Sequence, residues 1–512
     1  MRFSLAPETL QRLDHRMQFV LGPEFDASFP HWSRIEAASG LRLTSHPDLS
    51  VTRVEHRGVT LTLLGYLLDP FAPTATDEEI LISLAAQLAY GAELFGSLET
   101  LGGRYLLLVD AGEPLIVGDA SGTMQLFHAA VGGERWCAAQ PHHLARLLRL
   151  REDPEARDFI DWVKSETHEH SWPLDSSPYS GVRRLLPNHF LDLNTFDAVR
   201  YWPRAPYVEG DVESLLPKVA EGLKQLVTAG ASRFELSMGI SAGLDSRVML
   251  AASREVAQKI VYYTAQSPER GASHPDVAIP TTMLADLGVR HDLIVRGDGP
   301  SEEFAGVFRD SVPDAHQHRV AGLQTQLDYY RLGRVAVLGN ISEVARLIYR
   351  TSKRVPPLVG RPTAEYLSRL PAMAHPFALR HCQRWLDGLG DTMGYHVLDL
   401  FFWEHRHGSW FAHNCGEFTF GWRDVFLPYN CRALIVDLLA VPVAQRTGRA
   451  VGLYERIAHE LWPEVLAYPI NPVSRVEKWR RKLWLALSGV KRTLAPNLRP
   501  RLHPRLRPKL RP

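Results

Sequence analysis

A chain of 512 residues, 45% hydrophobic and 22% charged, is ordinary globular material of a length that suits two or three domains. A formal net charge of +1 gives no global reason to expect a nucleic-acid or acidic-membrane partner, and no run of about 18 apolar residues offers a membrane span. The four cysteines (Cys137, Cys382, Cys415 and Cys431) form no CxxC pair, which argues against a disulfide framework or zinc knuckle and for a reducing compartment.

The start, "MRFSLAPETLQRLDHRM", has no apolar core of the signal-peptide kind, so a cytoplasmic protein is expected. Next come "GVTLTLLGYLLDP", "GRYLLLVDAG", "PLIVGDASG" and "MQLFHAAV", apolar runs punctuated by Gly, Asp and Pro that read as strands joined by tight turns. Between them "TDEEILISLAAQLAYGAELFGSLETL" has helical spacing, so an α+β layer structure is predicted to about Leu150. Residues 151–206 are less regular, and "SSPYSGVRRLLPNHFLDLNTFDAVRYWP" reads as a hairpin-bearing connector with Pro187-Asn188 as a turn. "DVESLLPKVAEGLKQLVTAGA" reads as a helix with Asp211 as its N-cap. "RFELSMGI", "KIVYYTAQ", "RHDLIV" and "RVAVLGN" then alternate with helices, which implies a parallel sheet with crossover connections. Beyond Gly360 helix predominates. The tail, ending "LRPRLHPRLRPKLRP", is too rich in proline for helix or central strand and reads as a basic, disordered terminus.

Parallel sheets bind ligands beyond the carboxyl ends of their strands, and "SAGLDS" (Ser241 to Ser246) falls there, between a strand and a helix. A helix N-terminus welcomes an anion, and Gly243 lets the backbone approach one closely. Ser241 and Ser246 can donate to phosphate oxygens, whereas Asp245 repels them unless a cation such as Mg²⁺ intervenes. The segment has no lysine and is not a Walker loop. It is similar to the S-G-G-x-D-S pyrophosphate loop of enzymes that cleave ATP between its α and β phosphates. A plain strand–turn–helix with hydrophilic turn residues is the competing reading.

Up to the tail, the chain resembles the asparagine synthetase family, and its divergent members more than the enzyme that makes asparagine. The landmarks are "GYLLDP…LGGRYLLLVDAGEPLIVGDASGTMQLFHA", "GVRRLLPNHFLDL…RYW", "YYTAQ…SHPDVAIPTTMLADLGVRHDLI" with Asp276, "VAVLGNISEVARLIYR" where the family carries S-G-x-G-x-D-E, and the late "FFWEHRHGSWF" and "DVFLPYNCRALIVDLLAVP". The resemblance implies an α+β glutaminase-like (Ntn-type) sandwich over 1–150, a connector over 151–206, and an α/β parallel-sheet ATP-pyrophosphatase (adenine nucleotide α-hydrolase-like) domain over 207–475 with a helical C-terminal part, before the tail at 476–512. It implies that Ile240, Ser241, Gly243, Asp245 and Ser246 bind ATP, with Ala265, Leu338 and Gly339 also facing the nucleotide. Asp245 and Glu343 become the catalytic pair of Mg²⁺ carboxylates. The implied activity is an AMP-forming carbon–nitrogen ligase that joins a small-molecule or peptide carboxylate to an amine, with related enzymes closing β-lactam or lasso-peptide rings; a homodimer is one assembly this allows. A catalytically degenerate nucleotide-binding scaffold is the alternative.

Departures from the family pattern sharpen these expectations. Position 2 is Arg2 rather than the cysteine on which glutamine hydrolysis depends, so no glutaminase activity is expected. Ala242 replaces a loop glycine, at a penalty of about 1 kcal/mol if the position needs positive φ. Asn340 stands where relatives keep an acid–base residue, and an amide cannot take that proton. "VPVAQRTGRAVGLYERIAHELWP" lacks the family's late lysine, leaving Arg446, Arg449, Arg456 or Lys478 as candidate cations. The histidine pairs His142-His143, His168/His170, His316/His318 and His405/His407 have no known metal-site spacing, so zinc is not expected. His316 and His318 read as solvated loop residues, with substrate contact as the second reading.

Overall fold

Residues up to about 200 build two six-stranded antiparallel sheets packed face to face. The second is organised by β1 (Val59–Leu68) and β2 (Gly102–Asp110), paired from Thr60↔Asp110 to Leu68↔Gly102. Both strands are apolar on both faces for a physical reason. Leu64, Leu106 and Leu108 pack between the sheets with Phe19, Leu21 and Leu43, while Leu61, Leu63 and Leu107 pack beneath α1 (Asp77–Ala89). Thr76 caps α1, its hydroxyl accepting from the Glu79 N–H while Glu79 reaches back to the Thr76 N–H. The computed structural model describes residues 5–267, 270–297, 299–446 and 451–472; Arg2, Arg449, Lys478 and the tail from 476 lie outside the described residues.

The stretch read as a connector completes both sheets. Arg183–Arg184 pairs with Phe127–Val131 in the first, and His189–Asp192 pairs with Leu115–Gly118 in the second before turning back on Ala198–Arg200. Asn188 enters that hairpin at φ 68°, a conformation asparagine tolerates.

The chain then changes period. α2 (Val212–Arg233), capped by the Asp211 carboxylate on the Ser214 N–H at 3.1 Å, leads to β3 (Leu236–Gly239) and α3 (Leu244–Ala252). β4 (Val261–Gln266), α4 (Pro275–Asp286), β5 (His291–Val295) and β6 (Val335–Val337) follow. A fifth strand, β7 (Asp424–Phe426), comes from the late helical region. The order β5-β4-β3-β6-β7 is parallel throughout and reverses direction between β3 and β6, where an open α/β sheet leaves a crevice.

Buried polar contacts join the two halves. Arg104 pairs with Asp424 at 2.9 Å, the Tyr66 hydroxyl donates to the Val425 carbonyl at 2.8 Å, and Asn430 donates to the Gly103 carbonyl at 2.7 Å. Arg200 grips both oxygens of the fully buried Glu404 at 2.6 Å, and Glu404 also accepts from Asn188 and Trp385. Glu404 lies in a π-helical stretch, Phe402–Phe411, behind the switch point. Among the described residues no helix is long and apolar enough to cross a membrane.

Candidate functional site

The crevice between β3 and β6 is a cleft of about 190 Å³ bordered by Ser241, Asp245, Ser246, Leu338, Gly339 and Glu343, all read from the sequence as site residues. Three others expected there stand back from it. Ile240 is buried under the loop, its N–H donating to the Tyr263 carbonyl at 2.8 Å and its carbonyl accepting from the Thr264 hydroxyl at 3.0 Å. Gly243 forms the back of the turn, and Ala265 sits exposed at the end of β4, on the far side of β3 from β6.

The loop holds its own shape. The Ser246 hydroxyl accepts from the Ser241 N–H at 3.1 Å and lies 3.3 Å from the Ser241 hydroxyl, which in turn accepts from the Gly243 N–H at 3.1 Å. The Ala242 N–H donates to the Asp276 carboxylate at 3.2 Å, which gives that acid a structural task. Gly243 sits at φ −76°, so left-handed backbone is not what it provides; a Cβ there would come within 3.1 Å of the Ser241 oxygen. Ala242 is buried with no positive φ, so the penalty foreseen for replacing glycine does not arise. No side chain caps α3, which leaves its first N–H groups to another partner.

The second loop carries real strain. Gly339 packs against α3, where a Cβ would lie 3.2 Å from Met249. Two residues on, Ile341, a buried β-branched residue, keeps φ at 80°. Such a conformation costs about 1–3 kcal/mol and persists only where the surroundings impose it.

Charge in the cleft differs from the expected carboxylate pair. Arg346, from the turn after β6, takes both Asp245 oxygens, one of them at 3.2 Å, and its guanidinium lies 4.8 Å from the Tyr454 ring centroid. The Glu343 Oε1 accepts from Asn340 at 3.4 Å, while its Oε2 has no hydrogen-bond partner and lies 3.9 Å from the His407 Nε2. Burial pushes the Glu343 carboxyl up, and burial pushes His407 down to about 3. As a Mg²⁺ donor set, Glu343 fits, offering a free oxygen. Asp245 does not fit while Arg346 holds it.

Of the late cations proposed from sequence, neither described residue reaches the cleft. Arg446 is buried behind the second loop, donating to the Val344 and Ala345 carbonyls at 3.1 Å and to Asp399 at 3.1 Å. Arg456 pairs with Glu213 at 2.6 Å near the surface. Arg346 brings a cation to the cleft's edge through Asp245; sequence reasoning passed it over, although its place just after the second motif was a usable signal. Arg247 was also missed. Fully buried in the first turn of α3, it donates to the carbonyls of Val465 at 3.1 Å, Tyr468 at 2.5 Å and Pro469 at 2.5 Å. The Asn471 N–H donates to the Ala242 carbonyl at 2.9 Å, so residues 465–471 strap the loop from behind.

One further reading changes. His316 is not a solvated loop residue: it is buried, with Nδ1 2.8 Å from Glu417 and Nε2 3.0 Å from the His170 carbonyl, because Glu417 comes from a helix distant in sequence. His318 stays partly exposed beside Glu169, at 3.2 Å. Cys137 is buried in the first sheet opposite Leu21, and burial raises its thiol.

No protein-family model matches the chain, and no curated protein matches it. Similar solved structures include the NMN synthetase from Francisella tularensis, at 15% identity and a TM-score of 0.19, covering 38% of this chain and 93% of that one. The PRPP amidotransferase from B. subtilis, complexed with ADP and GMP, is similar at 10% identity and a TM-score of 0.20, covering 58% of this chain and 66% of that one. The glutamine-dependent NAD+ synthetase from Acinetobacter baumannii, in complex with ADP, is similar at 12% identity and a TM-score of 0.19, covering 48% and 59%. At these scores the likenesses carry no argument about what this chain binds.

Proposed function

We propose that the cleft binds the phosphates of ATP and that the protein is an AMP-forming carbon–nitrogen ligase acting on a small-molecule or peptide carboxylate. The observation that carries this reading is the meeting, at the switch point of the sheet, of an uncapped helix N-terminus, two serine hydroxyls and a guanidinium. A carboxylate oxygen of the substrate attacks the α-phosphorus, the bond to the β-phosphate oxygen breaks, and pyrophosphate leaves. An amine nitrogen then attacks the acyl carbon, and AMP departs with the electron pair of the acyl–oxygen bond. The α3 N–H groups, Ser241 and Ser246 hold the phosphates, and Arg346 offsets the charge that grows on the leaving group. The proton that the attacking amine loses passes to water or to a second amine molecule. Mg²⁺, when bound, would neutralise phosphate charge, with Glu343 as its protein ligand. The amine is free ammonia, a second metabolite or a group on the same substrate.

The pairing of Asp245 with Arg346 favours a second reading, a nucleotide-binding scaffold without catalysis. Calorimetry with a non-cleavable ATP analogue, with and without Mg²⁺, separates the cases. Binding by the native chain that falls at least about 10-fold in Ser246→Ala, a loss of one good phosphate hydrogen bond, supports the site. AMP release with candidate acids then selects the ligase, and its absence over a broad panel selects the scaffold. A folded native chain that ignores the analogue under both conditions removes both readings.

A further inference from the structure

His15, His142 and His143 meet at the edge of the first sheet, although no spacing in the sequence joins them. His15 follows the Pro7–Leu13 helix, and the other two stand in the first turn of the Pro141–Leu148 helix. Ring centroids are 5.4 Å apart for His15 and His142, 5.0 Å for His15 and His143, and 4.1 Å for His142 and His143. One donor nitrogen from each lies within 4.8 Å of the others.

The protons can be placed by following hydrogen bonds inward. The Gln18 Nε2 donates to the Ser311 carbonyl at 2.7 Å, so its Oε1 is the acceptor that faces the His143 Nε2 at 2.7 Å. His143 therefore carries its proton on Nε2 and leaves Nδ1 as a lone pair. The His15 Nδ1 and both ring nitrogens of His142 are buried with no hydrogen-bond partner. A buried ring nitrogen without a partner is costly, and a ligand that takes its lone pair relieves that cost. The backbone adds to this. His15 is held at φ 49°, with its N–H donating to the Ser311 hydroxyl at 2.8 Å, a strained setting that points its ring at the other two.

We propose that His15, His142 and His143 bind a divalent transition-metal ion of the zinc class. Neutral imidazoles suit such an ion, and three of them leave one tetrahedral position open. Metal–nitrogen bonds of about 2.0–2.1 Å in a tetrahedron set donors about 3.4 Å apart, within a small side-chain adjustment of the observed group. Gln18 supplies the outer partner that fixes a ligand's tautomer, the arrangement metal-binding histidines commonly have. The stacked Phe29 and Trp32 rings form an apolar wall, and the nearby Arg146 is ion-paired with Asp26, one contact being 3.2 Å. Asp14 lies 3.8 Å from the His15 Nε2, and the partly exposed His15 leaves a way in. The buried group His316, His413 and Glu417 differs, because both His316 nitrogens are hydrogen-bonded and Arg319 already lies 3.4 Å from Glu417.

The test is metal binding by the full chain after chelator stripping. Zn²⁺ titration should show a single tight equivalent, and Co²⁺ should give the intense visible bands of a tetrahedral nitrogen site. His142→Gln should weaken Zn²⁺ binding at least 100-fold, and Gln18→Leu about 10–100-fold through ligand orientation. The idea is overturned if Co²⁺ gives only weak octahedral bands on the native chain, a readout that needs no variant. It is equally overturned if folded His142→Gln binds Zn²⁺ as the native chain does, or if His316→Ala abolishes binding while His142→Gln does not.

Discussion

At Asp245 a carboxylate stands in the first turn of α3, where the helix dipole favours it, yet phosphate is repelled by it. Arg346 resolves that conflict by taking both oxygens and bringing its own charge to the cleft. If the cleft binds ATP as proposed, Arg346→Gln removes a phosphate cation and bares Asp245 at one stroke. Affinity for a non-cleavable ATP analogue is then expected to fall by at least about 10-fold, since a charge-assisted contact contributes roughly 1.5–3 kcal/mol. Dependence on Mg²⁺ should steepen, because Asp245 becomes free to take a metal. Calorimetry across a Mg²⁺ series measures both, and an affinity unchanged at every Mg²⁺ level would exclude a phosphate role for Arg346. The serine hydroxyls and the carboxylate were legible in "SAGLDS" because a strand–turn–helix loop is local. Arg346 was not, since its role depends on β6 lying beside β3.

Among elements, α3 shows how a helix start is positioned by a segment far along the chain. Arg247 is buried in its first turn, donating to three carbonyls of residues 465–469, and burial pushes the guanidinium down to about 10. Arg247→Met keeps the volume and the helix propensity but leaves those carbonyls without a donor. Unfolding in urea should show a loss of about 3 kcal/mol, in the range expected for orphaned buried polar groups. Analogue binding should weaken as well, because Asn471 braces Ala242 from the same strap. The first four strands of the parallel sheet could be read from sequence, as each is an apolar run flanked by turn residues. β7 could not: three residues give no period to detect, and only pairing with β6 makes Asp424–Phe426 a strand. Ile341 is another case. Nothing in its type announces φ 80°; neighbours impose it.

At the scale of the whole molecule, the front sheets form a fixed base for the rear one. Arg104 on β2 and Asp424 on β7 are both nearly inaccessible, with side chains 6% and 10% exposed. Arg104→Met would strand a buried carboxylate, and the expected loss is about 3–5 kcal/mol in chemical denaturation. Adding Asp424→Leu should recover most of it, because a paired apolar replacement removes the uncompensated charge; failure to recover would mean that the shape of the pair, rather than its charge, joins the halves. The parallel sheet was visible in the alternation of strand-like and helical runs, but this seam was not, because its partners lie more than 300 residues apart. The strap has a consequence of another kind, in the order of synthesis. A ribosome delivers β3, the Ser241–Ser246 loop and all of the described parallel sheet before it delivers Val465 to Asn471. If the loop holds phosphate as proposed, a nascent chain halted just short of that point has the described strands in place and a loop that this strap does not clamp, and premature termination there is expected to yield a chain that binds the ATP analogue weakly.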